Sequence, residues 1–123
     1  MSETNSFQVP WWSTEFTSGE DLAVSDAVRN RRLSQGVITC EFESMLGVYL
    51  GVRNVVAVTS GSSALLASLL AIGIRPGDEI LVPNRTWIAT AHAVHLLGGI
   101  PVFVDTEADR PIMDLTDIER RIT

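Results

Sequence analysis

The chain has 123 residues, 46% of them hydrophobic and 20% charged, and a net charge of −6. That size suits one compact domain with a sizeable core rather than two, and the acidic balance argues against a nucleic-acid surface, which needs a basic patch. No apolar run is long enough for a bilayer span, the opening MSETNSFQVPWW has neither region of a secretory signal, and the single Cys40 has no partner for an internal disulfide; a cytoplasmic protein is expected, with Cys40 buried as a small hydrophobe.

Residues 1–20 read as a loosely structured arm, polar except for Phe7, Val9, Trp11, Trp12 and Phe16. The aromatics would dock on the body of the protein or on a partner subunit. A first helix is expected from about Glu20 to Arg31, with Leu22, Val24, Ala27 and Val28 on one face and arginines near its C-terminal end, where the helix dipole favours them. The loop LSQG pivots on Gly36. A second helix follows from about Thr39 to Leu50, its apolar residues Phe42, Met45, Leu46 and Tyr49 spaced by three and four, with Gly51 closing it.

The texture then changes. Val55–Val58 is a continuous apolar run, as expected of a strand buried on both faces. Ser62 or Ser63 can cap a helix from Ala64 to Gly73. Pro76-Gly77-Asp78 is a turn, Glu79–Val82 a second strand, Thr86–Leu97 a helix closed by Gly98-Gly99, and Pro101–Val104 a third strand. The tail DLTDIERRIT predicts a helix capped by Asp114. Strand and helix alternating in this way define an α/β unit around a mainly parallel or mixed sheet. Three strands leave sheet edges in need of cover, so residues 21–123 read as the opening, incomplete part of a larger domain.

Three groups of residues carry chemistry. Thr59-Ser60-Gly61-Ser62-Ser63-Ala64 lies where an apolar strand turns into a helix. The first amides of a helix lack intrahelical partners and sit at its positive end, so this turn can hold a phosphate, with Gly61 allowing close approach. Plain N-capping by serine explains the same residues. Asn84-Arg85-Thr86-Trp87 follows the second strand, on the edge where α/β sheets bind ligands. Trp87 either stacks on an aromatic ring there or packs into the core. Asp105, after the third strand, either binds at the same edge or orders the next turn. His92 and His95 stand three apart on a helix, but no neighbouring carboxylate or cysteine completes a metal site, and none is assigned.

Together these landmarks resemble the sugar aminotransferases of the DegT/DnrJ/EryC1/StrS family. The similarity rests on Gly61-Ser62, Ala64-Leu65, Gly73 to Glu79, Val82-Pro83, Thr86 to Ala91 and Pro101 to Asp105, with LSQGVITCEFE upstream, and covers about Trp11 to Thr123. It implies the large domain of an aspartate-aminotransferase-like fold (fold type I), a homodimer with shared active sites, and pyridoxal 5'-phosphate as cofactor. The implied substrates are a nucleotide-linked keto-sugar and an amino donor such as glutamate or glutamine. By position, Gly61, Ser62 and Ser63 would hold the cofactor phosphate, Trp87 would stack on its ring, and the Ser34–Gly36 loop would lie near a substrate pocket.

The family carries its cofactor on a lysine, and an aspartate pairs with the ring nitrogen; both lie downstream of the matched segment. This chain has no lysine: all nine of its cations are arginine, whose guanidinium stays protonated and is a poor nucleophile. No catalytic residue is therefore assigned, and the chain alone is expected to be inactive. Sugar dehydratases of the same family, which use histidine in place of that lysine, give a second reading. A non-catalytic fragment that binds a partner subunit gives a third, and a self-contained phosphate-binding module a fourth.

Overall fold

A computed structural model describes residues 12–123. Phe7, Val9 and Trp11 of the expected arm lie outside the described residues. The chain divides into two compact units, one ending at Val56 and the other running from Ala57 to Thr123.

Among the described residues, the first unit holds two helices. α1 spans Ser18–Arg29 and begins two residues before the expected start, because Thr17 rather than a later residue caps it. Thr17 Oγ1 accepts the Gly19 N–H at 3.2 Å, and Glu20 reaches back to accept the Thr17 N–H at 2.7 Å. The two residues form a capping box that satisfies otherwise orphaned donors. The Thr17 hydroxyl also bonds the Glu20 carboxylate and, with the backbone donors, holds its pKa below the ordinary value. α2 spans Val37–Leu50, starting directly after Gly36. It stops at Gly51, whose φ of 67° is the left-handed conformation that ends helices with little cost only at glycine. Cys40 is exposed on α2, contrary to its expected burial. Apolar character did not decide its position, because α2 buries Gly47 alone and leaves Phe42, Met45, Val48 and Tyr49 exposed.

The second unit holds α3 (Gly61–Ala71), β1 (Glu79–Pro83), α4 (Ala89–Leu96), β2 (Ile100–Val104) and α5 (Leu115–Arg121). β1 and β2 pair in parallel, with Glu79 opposite Ile100 and Pro83 opposite Val104. Parallel neighbours require a crossover, and α4 supplies it. The core is Val82, Ala91 and Val94, with Leu69 of α3 and Ile80 of β1 packed against it; Val104 is also fully buried. Turn residues 75–78 close through the Asp78 N–H to Arg75 O at 3.0 Å and the Arg75 N–H to Asp78 Oδ2 at 2.8 Å.

The return from α4 to β2 is tight. Gly98 has φ 76°, and a Cβ there would lie 3.1 Å from Pro76 Cβ; one on Gly99 would come within 2.9 Å of Ile80 and 3.0 Å of Val94. The glycine pair is thus set both by backbone conformation and by lack of room.

The expected strand at Val55–Val58 does not form: the segment has no regular secondary structure, and Val56 is 75% exposed. A run of valines favours extended backbone, but a strand also requires a neighbouring ladder, and the described sheet consists of β1 and β2. α4 starts at Ala89 rather than Thr86, since residues 84–86 continue away from the strand as a bend.

Candidate functional site

At the start of α3, Ser60 is the N-cap, not Ser62 or Ser63. Its backbone is extended, and its hydroxyl accepts the Ser63 N–H at 3.1 Å. The Ser63 hydroxyl lies 3.0 Å from that of Ser60 and 3.5 Å from that of Thr59, so three side chains form a hydroxyl cluster over the first turn. The Ala64 N–H donates to Ser60 O. Among the described residues, nothing accepts from the amides of Gly61 and Ser62, which leaves both donors for an outside acceptor at the positive end of the helix. A Cβ on Gly61 would meet nothing within 4 Å, so the packing of this chain does not itself demand glycine there.

The parallel register brings Pro83 and Val104 to one edge of the sheet. Beyond it, Asn84 Nδ2 donates to Asp105 Oδ1 at 2.6 Å, and the Asn84 N–H continues the ladder to Val104 O at 2.9 Å. The backbone of Asp105 is fixed on both sides: its N–H donates to Asp117 Oδ2 at 2.9 Å, and its carbonyl accepts from the Asp114 N–H at 2.8 Å. Asp117 is buried. The Asp105 N–H, followed by the Arg121 guanidinium at 3.4 Å, holds its carboxyl below the usual range against the opposing effect of desolvation. Asp105 thus does order its turn.

Trp87 precedes α4. Its carbonyl accepts the Thr90 N–H at 3.0 Å, the opening bond of that helix, and the Thr86 and Thr90 hydroxyls are 3.0 Å apart. The indole is 79% exposed, so within this chain it does not pack into the core.

Ser62 and Ser63, together with Leu66, face Ala89, His92, Ala93 and Leu96 across a cleft of about 300 Å³ between α3 and α4. His92 is the one titratable side chain among these lining residues. The structure therefore brings both serines to the helix that Trp87 leads into, while Trp87 and Gly61 do not line the cleft. His92 and His95 belong to no group of three metal-binding side chains among the described residues. Gly36, from the loop expected near a substrate pocket, belongs to the first unit and lines a shallow hollow there with Cys40, Ser44 and Met45. Ser60 and Asn84 stand in the motifs the sequence offers, but their roles as helix cap and as partner of Asp105 are not legible there. The extended backbone that makes Ser60 the cap has no signature among consecutive hydroxyl residues, and the partner of Asn84 lies 21 residues away.

The fold is that of the fold type I pyridoxal-phosphate aminotransferases, to which the chain is similar in structure, here as a small parallel sheet flanked by helices. The chain belongs to the DegT/DnrJ/EryC1/StrS aminotransferase family, whose profile matches residues 15–123. It is 37% identical over 101 residues to the UDP-4-amino-4-deoxy-L-arabinose–oxoglutarate aminotransferase of Shewanella sediminis, covering 82% of this chain and 26% of the relative. It is 35% identical over 106 residues to the 3-oxo-glucose-6-phosphate:glutamate aminotransferase of Bacillus subtilis, covering 85% and 24%. Spr1654 of Streptococcus pneumoniae, described as a sugar aminotransferase and solved in its PMP form, superposes with a TM-score of 0.89 at 32% identity, covering 95% of this chain and 30% of that one. The chain thus spans about a quarter to a third of the length of these relatives.

Proposed function

We propose that this chain supplies the phosphate cup and one wall of the cofactor site in a pyridoxal-phosphate-dependent aminotransferase that moves an amino group from an amino acid to a nucleotide-linked keto-sugar. The observation that carries the reading is the start of α3, where the Gly61 and Ser62 amides are free of partners among the described residues and the hydroxyls of Thr59, Ser60 and Ser63 cluster beside them. That donor set suits a phosphate dianion. The open space over Gly61 suits close approach by the same group.

When bound, the cofactor ring serves as the electron sink of the reaction. The residues of this chain bind and orient it. The Gly61 and Ser62 amides with the neighbouring serine hydroxyls would hold its phosphate, and the exposed Trp87 would cover its ring and keep water off that side. With no lysine, the chain has no side-chain amine to carry the cofactor covalently or to move a proton at the substrate carbon. The full enzyme, a homodimer in the cytoplasm, provides those groups from elsewhere, and the isolated chain has no transaminase activity.

Titration with pyridoxamine 5'-phosphate tests the reading, because that ligand cannot condense with a protein amine. In a chain with Trp11 and Trp12 replaced by Phe, it should quench Trp87 fluorescence, inorganic phosphate should compete, and Gly61→Asp should abolish the effect. Quenching indifferent to phosphate and to Gly61→Asp would overturn the cup. Amino transfer by the pure chain would overturn its assigned inactivity.

A further inference from the structure

We infer that Asn84 and Asp105 act as a clasp that positions Trp87; the role of that indole toward a cofactor ring rests on the function proposed above. The indole is 79% exposed, so side-chain packing within this chain does little to aim it. What the chain does fix is the backbone on either side, and with it the direction in which the side chain leaves the main chain. On the downstream side, the Thr90 N–H to Trp87 O bond ties it to α4. On the upstream side, only Arg85 and Thr86 separate it from Asn84, which is held twice: by its own N–H to Val104 O and by its side chain to Asp105.

Asp105 is a firm post. Its N–H and carbonyl are bound by Asp117 and Asp114, and Asp117 is held in turn by Arg121. The Asn84–Asp105 bond is short, at 2.6 Å, has a carboxylate acceptor and is exposed to solvent. It joins the ends of β1 and β2 beyond the last paired residues, so breaking it leaves Asn84 held by its N–H to Val104 O alone and loosens the segment leading to Trp87 while the five-residue ladder stays intact. Neither residue lines the cleft beside the α3 start, and their hydrogen bonds run to each other and to Val104, Asp114 and Asp117; they are positioning residues.

The test uses time-resolved fluorescence anisotropy of Trp87 in the chain with Trp11 and Trp12 replaced by Phe, alongside far-ultraviolet circular dichroism. Asn84→Ala and Asp105→Ala should each raise the amplitude of fast indole motion about twofold, with the helical signal unchanged. They should also weaken pyridoxamine 5'-phosphate binding by about threefold to tenfold. Asp105→Asn keeps an oxygen acceptor and should stay near the parent chain. Asn84→Asp sets two carboxylates together and should behave like the alanine variants; adding Asp105→Asn to it reverses the bond and should restore slow motion.

A bond that merely stiffens the sheet would change indole motion only in step with loss of helical signal. That result, unchanged motion in both alanine variants, or failure of the reversed pair to rescue would overturn the clasp. Clear anisotropy effects without ligand binding by the parent chain would instead sink the cofactor reading and leave the clasp standing.

Discussion

The βαβ region and the first pair of helices use similar residues to opposite ends. In β1–α4–β2, the apolar residues Val82, Ala91, Val94 and Val104 are buried, and two glycines let the elements close on one another. In α1 and α2, Leu22, Val28, Phe42, Met45 and Val48 are exposed, and Gly47 alone is buried. Within this chain, hydrophobic content alone does not place a residue in a core. β1 and β2 satisfy each other's backbone groups and offer α4 a surface, whereas α1 and α2 rest on local hydrogen bonds at their ends.

The largest separation between the regions should come from truncating valines. Val94→Ala should cost about 2 kcal/mol, from lost burial plus a cavity, whereas Val48→Ala, at a side chain 86% exposed, should change stability by less than about 0.5 kcal/mol. Urea denaturation of the two variants measures the difference, and equal effects would erase the contrast. Next comes Gly98→Ala, which combines a left-handed φ with a 3.1 Å approach to Pro76 and should cost about 1–3 kcal/mol. The same change at Gly51, with equal φ constraint but open space, should cost less, isolating the steric part.

A smaller effect is expected from Thr17→Ala, about 1 kcal/mol confined to α1 and visible as loss of helical circular dichroism. The lowered pKa of Glu20 gives this cap a pH signature. Its contribution is present above the carboxyl's ordinary value and is lost as pH falls through the lowered one. The acid-induced fraying of α1 should therefore disappear in Glu20→Gln, whose amide does not titrate. In the other region, Asp117 also has a depressed pKa, caused first by the Asp105 N–H. Asp117→Asn should lower stability at neutral pH and flatten its decline under acid; a decline as steep as in the parent chain would mean that other carboxylates carry it.

Periodicity and turn residues made most elements legible. The stop at Gly51, the turn at Pro76-Gly77, the strands beside it and the Asp114 cap lie where local chemistry put them. The misses share a cause: the deciding partner is not local, or several neighbours could play one part. Val55–Val58 has the composition of a strand, but a ladder depends on distant residues. Thr59, Ser60, Ser62 and Ser63 all carry cap-forming hydroxyls, and only the backbone angles of Ser60 select it. The serine turn and Trp87 were legible as features. That the serines face α4, and that Asn84 reaches Asp105, required the chain to be folded.

The glycine return after α4 bears on how the polypeptide can be rearranged by engineers. Opening it to create new termini, or splicing a reporter into it, would wedge extra atoms where Pro76, Ile80 and Val94 already crowd the backbone. The bend around Asp109 and Arg110 is exposed and is the better place to cut or to graft.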